Sequence, residues 1–214
     1  MKRIYLLVVA AVLCGIAVFL RVPTTELSEN FDSLKPELSV VEAGTFQALN
    51  GTNVDVLGSG LNANLCSAPE SGNCVDMGGT GGNPQAVLQS VKPIALEPGI
   101  TYRLSFQLIG SQRGNPTSTT VSFGPYQQTF VLEPGDNMSG IVKNAAVTVS
   151  EAQQALLTFT NNTKTEEGSL LDNVSVTSTG AGSGVSAISL LLVAAGCVVL
   201  FFLRPGWLGV GTGV

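Results

Sequence analysis

There is no histidine anywhere in these 214 residues. Ser-His-Asp and Cys-His catalysis are excluded with it, as are metal sites built on imidazole. Charge is scarce: Asp, Glu, Lys and Arg together make up 12% of the chain. The one tryptophan, Trp207, sits near the C-terminus, beyond a long apolar run. No convincing amphipathic helical period is present, so the chain does not read as an α or α/β protein. All fifteen acidic residues lie between Glu26 and Asp172, against six basic ones in the same span. An acidic middle of this kind argues against nucleic acid and anionic lipid as its partners. No nucleophile paired with a base is recognisable, and the chain reads as non-enzymatic.

What is present is β alternation. In Thr101 to Leu108, Tyr102, Leu104, Phe106 and Leu108 alternate with Thr101, Arg103, Ser105 and Gln107. That is the period of a strand with one face buried and one wet. Glu97-Pro98-Gly99 leads into it and Gly110 follows, marking both ends. Shorter apolar alternations recur at 40–41, 45–46, 54–57, 75–77, 86–91, 119–123, 128–132, 145–149, 156–160 and 170–176. This spacing predicts an all-β fold, an antiparallel β-sandwich or jelly roll over residues 31–178. Residues 151–156 are compatible with one helical turn.

The ends of the chain differ in kind. Lys2 and Arg3 precede an unbroken apolar run, Ile4 to Leu20, and residues 1–21 read as a signal peptide or an uncleaved signal-anchor helix. Residues 22–30 are polar and read as a linker, as do 179–184, rich in Gly and Ser. Residues 185–203 are apolar and long enough for a transmembrane helix. Arg204 ends that run, Trp207 takes an interfacial position, and 204–214 form a short cytoplasmic tail. Lys2, Arg3 and Arg204 on the cytoplasmic side place the acidic domain outside, at the cell surface, with the membrane contacted through 185–203.

Several blocks resemble one another's counterparts in a known family. Glu29-Asn30-Phe31-Asp32-Ser33, Cys74-Val75-Asp76-Met77-Gly78-Gly79, Leu104-Ser105-Phe106-Gln107-Leu108 with Gly110-Ser111-Gln112-Arg113-Gly114, and Leu170-Leu171-Asp172-Asn173-Val174-Ser175-Val176 occur in that order. The chain so resembles bacterial choice-of-anchor and PEP-CTERM-associated extracellular β-sandwiches of the galactose-binding-like kind. The C-terminal segment lacks the Pro-Glu-Pro motif of that sorting signal. The resemblance implies a jelly roll shared with carbohydrate-binding modules, and non-catalytic binding of an extracellular glycan or matrix component. A structural surface protein with no small-molecule site is the alternative.

Individual residues carry narrower expectations. Cys66 and Cys74, an isolated pair in a polar loop of an exported domain, are expected to form a disulfide. Arg113, in a loop, either contacts ligand or pairs with a carboxylate. Tyr126, between Gly124-Pro125 and Gln127-Gln128, is a ligand-binding candidate presented on a loop, or else an edge residue between strands. Gly78-Gly79-Thr80-Gly81-Gly82 reads as a turn, since no Gly-Lys-Ser/Thr follows. Asp55 and Asp76 read as solvated or turn-capping carboxylates in preference to a glycosidase pair. Asn50, Asn137, Asn161 and Asn173 begin Asn-x-Ser/Thr triplets, of which Asn137 and Asn161 are expected in loops. Strict alternation puts Asp172 on the face of Val174 and Val176, inward, unless a bulge resets the register. A buried carboxylate needs a partner, and the family resemblance implies structural calcium held by Asp172 with Asp32.

Overall fold

The computed structural model describes residues 23–66, 72–134 and 141–179, without the side chains of 141–143. The expected signal or anchor segment (1–21), the transmembrane segment (185–203) and the tail (204–214) lie outside the described residues. So does the linker 179–184, apart from Thr179. Among the described residues no helix is long and apolar enough to cross a membrane.

Two antiparallel sheets face each other. The seven-stranded sheet is built from β1 (Thr24–Glu29), β2 (Glu37–Val40), β5 (Val54–Leu57), β6 (Cys74–Asp76), β9 (Thr101–Ile109), β12 (Ile141–Val147) and β15 (Leu170–Thr179). Its order is β12-β9-β15-β6-β5-β2, with β1 beside the C-terminal half of β15. The six-stranded sheet contains β3 (Glu42–Ala43), β4 (Phe46–Ala48), β7 (Val87–Ser90), β10 (Thr117–Phe123), β11 (Tyr126–Leu132) and β14 (Leu157–Asn161). Its order is β11-β10-β14-β7-β4-β3. β8 (Ile94–Leu96) and β13 (Gln153–Ala155) pair as a separate ribbon. The β-sandwich expected from alternation is the observed architecture.

Two segments depart from expectation. Residues 24–29, within the expected linker, form β1. Their side chains are mostly exposed, so no apolar alternation betrays the strand; it exists because β15 supplies a ladder, with Leu27 against Val176. The domain therefore begins before residue 31. Residues 153–155 form β13 and not a helical turn, because they pair with Ile94 to Leu96, whose Ile94 and Leu96 are buried in the core. Tyr102 anchors that ribbon: its hydroxyl accepts from Glu97 N and donates to Ala95 O, both at 2.9 Å.

The main core lies between the sheets. Tyr102, Leu104, Phe106 and Leu108 of β9 meet Val121, Phe123, Leu157 and Phe159 of the opposite sheet in one buried cluster. A chain of rings runs through it, Phe31–Phe46–Phe159–Phe106–Phe130, with centroids 5.5–6.2 Å apart. A smaller cluster, Leu57, Cys66, Cys74, Ile109 and Leu170, lies on the outer face of the seven-stranded sheet. The disulfide between Cys66 and Cys74, Cα–Cα 5.6 Å, belongs to this second cluster. Both clusters close within residues 22–180, which form one compact unit. Phe159, with no exposed surface, touches rings on both sides of the core. Phe159→Ala should cost about 3–5 kcal/mol in denaturant unfolding of residues 22–180; a loss below about 1 kcal/mol would mean that the ring chain is not packed as described.

Candidate functional site

Register fixes where the charged side chains lie. Asp55 and Asp76 are direct cross-strand partners on β5 and β6, on the outer face of their sheet. Each is buried and committed to a loop. Asp55 Oδ1 accepts from Ser39 N (2.7 Å) and Thr80 N (3.0 Å), and Oδ2 from the Thr80 hydroxyl (2.6 Å). Asp76 Oδ1 accepts from Gly78 N (2.8 Å) and Gly168 N (3.1 Å), and Oδ2 from the Arg113 guanidinium. Together with Glu166, which accepts from Gly81 N at 3.0 Å, they staple the glycine-rich turn 78–82 to its neighbours. The turn-capping reading of these carboxylates is the observed one. Burial pushes the Asp76 carboxyl up to about 6, against the opposing pull of Arg113, the Gly78 amide and the Arg113 hydrogen bond, with the Asp55 charge adding to the rise.

Arg113 thus pairs with a carboxylate. It lies in the loop from β9 to β10, at the end of the sandwich opposite to where β1 begins and β15 ends. Tyr126 begins β11 after the two-residue turn Gly124-Pro125, at the other end of β10. It is half-buried, packs against the core, and its hydroxyl donates to Gln128 Oε1 at 3.0 Å. Burial raises its pKa. Tyr126 thus begins the edge strand of its sheet, and the seven-residue length of β10, roughly 20 Å, separates Arg113 from it. The two do not form one site. Asn161, expected in a loop, ends β14 fully buried, donating to Met77 O and Pro84 O.

Asp172 is buried, but not beside Val174 and Val176. The β15–β9 register slips between Asp172 and Ser175, and Asn173 takes φ +51°. This bulge sends Leu171, Val174 and Val176 into the main core and leaves Asp172 on the outer face opposite Gln107. Asp172 accepts from Asn173 N (2.6 Å) and Asn173 Nδ2 (3.1 Å). Asp32 is near enough for its charge to act on it; burial first, then Asp32, lift the Asp172 carboxyl to about 7 against the Asn173 hydrogen bond. Asp32 itself accepts from Asn73 N (2.9 Å) and Asn30 Nδ2 (2.7 Å). Gly72, at φ +82°, makes room for this, since a Cβ there would overlap Asp32 Oδ1. Around these two carboxylates Asn30, Asn73 and Asn173 present N–H donors, so Asp32 and Asp172 are themselves the oxygens that a cation could meet here. Among the described residues no group of three or more His, Cys, Asp and Glu side chains comes together.

A different surface was not anticipated from single motifs. Among the described residues, every charged strand residue but one belongs to the seven-stranded sheet: Glu26, Glu29, Glu37, Asp55, Asp76, Arg103, Lys143 and Asp172. The six-stranded sheet carries only Glu42, on its short edge strand. Its outer face is a row of neutral donors and acceptors running Gln127–Ser122–Thr158–Gln89–Gln47 and ending at Glu42, one residue per strand. The adjacent row is Thr129–Thr120–Thr160–Val87. Hydrogen bonds hold these side chains in place: Thr120 and Thr129 hydroxyls at 2.8 Å, Gln89 Nε2 to Thr158 Oγ1 at 3.0 Å, and Asn162 Nδ2 to Thr120 Oγ1 at 2.9 Å. The signal was available in the sequence as the absence of any charge from 117 to 132 and from 152 to 163.

No family model and no curated protein sequence matches this chain. Among solved structures it is similar in course to the CBM22-1 xylan-binding domain of Paenibacillus barcinonensis Xyn10C, at 12% identity and TM-score 0.48, covering 75% of this chain and 97% of that one. It is similar as well to the K1 cleaved adhesin domain of Lys-gingipain from Porphyromonas gingivalis, at 16% identity and TM-score 0.45, covering 72% and 97%. The C-terminal CBM6 of the laminarinase LamC from Zobellia galactanivorans follows at 12% and 0.41, covering 73% and 99%. At such identities and scores the likeness carries no inference about ligand.

The two raised carboxyls fix a pH dependence. A folded pKa of about 7 for Asp172 and about 6 for Asp76, against 3.8 for each when unperturbed, disfavours the ionised form in the fold. Below about pH 4 both states are protonated and nothing is lost; as pH rises to about 6 or 7 the fold loses stability, on the order of 3 kcal/mol per group. In metal-free buffer, Asp172→Asn should therefore gain stability relative to the parent between pH 4 and pH 8, as urea unfolding at the two pH values would show. A constant difference between the two proteins would contradict the raised carboxyl.

Proposed function

We propose that residues 22–180 are a non-catalytic glycan-binding domain and that the neutral outer face of the six-stranded sheet is its binding surface. The observation that supports this most is the charge segregation: an acidic domain keeps one whole sheet face free of charge except at Glu42, and fills it with hydroxyls and side-chain amides. A neutral polysaccharide presents the same chemistry, many hydroxyls and no charge, so its hydrogen bonds are matched without any ion being desolvated. A polyuronate would be repelled by the domain's fifteen acids. The committed oxygens of Asp55 and Asp76 support the non-catalytic reading, since neither is left to take or give a proton to substrate.

The same reading includes the finer expectations. Thr24 pairs with Ser178, so the start of β1 and the end of β15 lie at the same end of the sandwich. That geometry, with the apolar run 185–203 and the disulfide, supports a domain held at the outer side of a cell membrane. Membership of the choice-of-anchor kind and the jelly-roll ancestry it implies belong to this reading too. Asp32 and Asp172 hold structural calcium in it, which would stabilise the fold by neutralising the buried Asp172 carboxylate beside the exposed Asp32. The melting midpoint of residues 22–180 should rise by several degrees from chelator to millimolar calcium, and this rise should vanish in Asp172→Ala; equal midpoints in the parent would remove calcium from the account.

Affinity electrophoresis against soluble β-glucan, xylan, galactomannan and a polyuronate tests the main reading. At least one neutral polymer should retard the domain and the polyuronate should not. The double substitution Thr120→Val, Thr160→Val should weaken retardation about tenfold or more, as loss of two hydrogen bonds implies, without lowering the melting midpoint by more than a few degrees. Retardation by the polyuronate alone, by none of the polymers, or equally in the double variant would overturn it.

A further inference from the structure

Open strand edges are a hazard, and proteins guard them with charges, prolines, bulges or brevity. Among the described residues the open edges of the seven-stranded sheet belong to β1, β2 and β12. β1 carries Glu26 and Glu29 and a register slip after Thr25; β2 carries Glu37 and a slip before Val40; β12 carries Lys143. In the six-stranded sheet β3 is two residues long and carries Glu42. β8 and β13 have three residues each. β11 is the exception. Its seven residues, Tyr126 to Leu132, contain no charge and no proline, and they pair with β10 in unbroken register. Val131, 63% exposed, is the most exposed large apolar side chain among the described residues.

The backbone of that edge is unpaired in a defined pattern. Asn162 N donates to Ser118 O at 2.8 Å, so Ser118, and by alternation Thr120 and Ser122, direct their main-chain groups toward β14. The intervening residues of β10 then bond β11, through Tyr126, Gln128, Phe130 and Leu132. The two-residue turn Gly124-Pro125, with Gly124 at φ +56°, gives the same phase, because its closing pair Phe123–Tyr126 is hydrogen-bonded. Gln127, Thr129 and Val131 are left with N–H and C=O directed away from the sheet.

We propose that β11 is a homodimerisation edge, pairing antiparallel with β11 of a second copy about a two-fold axis at Thr129. That register sets Thr129 against Thr129 and Gln127 against Val131, which are the residues with free main-chain groups, and forms about six hydrogen bonds. Gln128 then meets Phe130, and Tyr126 meets Leu132, extending the inward row across the axis. The occupant is a second copy because the edge is self-complementary in register and because it is the neutral margin of an acidic domain. Two copies repel elsewhere but approach here without bringing charged strands together. A two-fold axis closes the assembly and leaves no further β11 edge open. The two neutral faces become one continuous twelve-stranded surface.

A strand edge alone buries less area than a standard interface, so the dimer is weak. Sedimentation velocity of residues 22–180 from about 5 to about 500 μM should show a monomer–dimer equilibrium. Association should strengthen with added salt, which screens the repulsion between acids. Thr129→Lys puts like charges on the axis, and Thr129→Pro removes the central donor without touching the β10 ladder; each should raise Kd tenfold or more with the melting midpoint nearly unchanged. Ser28→Lys on β1 should leave Kd unaltered. A monomer throughout the concentration range, or a dimer as strong in both Thr129 variants as in the parent, would overturn the proposal.

Discussion

The bulge at Asn173 is the constraint on which the rest of this sandwich turns. β15 pairs with β9 along most of its length, with β6 at its start and with β1 toward its end. Ordinary alternation places Leu170 in the disulfide cluster outside and Leu171 in the main core, so both clusters meet at this strand. A strictly alternating strand would then put Val174 and Val176 on the face opposite to Leu171. The one-residue slip returns them to the main core and leaves Asp172 beside Gln107 and near Asp32. A buried acid at a bulge is costly unless it is hydrogen-bonded or protonated, and here the main-chain and side-chain N–H groups of Asn173 donate to Asp172.

Charge follows the same division of labour. Several acids of the seven-stranded sheet and its loops are spent internally: Asp55 and Asp76 secure the glycine-rich turn, Asp32 receives the Asn73 amide, and Glu29 accepts from Phe31 N and Thr45 N. The six-stranded sheet is spared this work. Its outer side chains bond one another across strands, which fixes their rotamers before any ligand arrives and reduces the entropy lost on binding. A prearranged neutral face and a neutral edge strand then follow from one compositional fact, that the strands from Thr117 to Leu132 contain no charge.

Much of this was legible in the sequence where burial and period coincide. β5, β9, β10 and the body of β15 announce themselves by apolar alternation, and the pair Cys66–Cys74 by isolation in a polar loop. What escaped was non-local. β1 has too few apolar residues to read as a strand and owes its conformation to β15. The side on which Asp172 sits depends on a bulge that only the competing demands of Leu171 and Val174 impose. Asp55 and Asp76 stand opposite one another because β5 and β6 pair around an intervening loop, a fact that no local pattern encodes. Arg113 and Tyr126 looked alike as loop residues, yet the length of β10 holds them at opposite ends. The neutral face was hidden because Thr, Ser and Gln on the wet side of a strand look like ordinary surface until the register lines them up in rows.

The central claim is that this face, and not the loops at the ends of the sandwich, meets the ligand. Amide chemical-shift mapping of residues 22–180, titrated with hexasaccharides of neutral glucans and xylans, addresses it directly. The account predicts perturbations grouped on Ser118 to Ser122, Gln127 to Val131, Thr158 to Asn162 and Gln89. Perturbations confined to the loops around Arg113, Thr80 and Glu166, with the sheet unmoved, would contradict it.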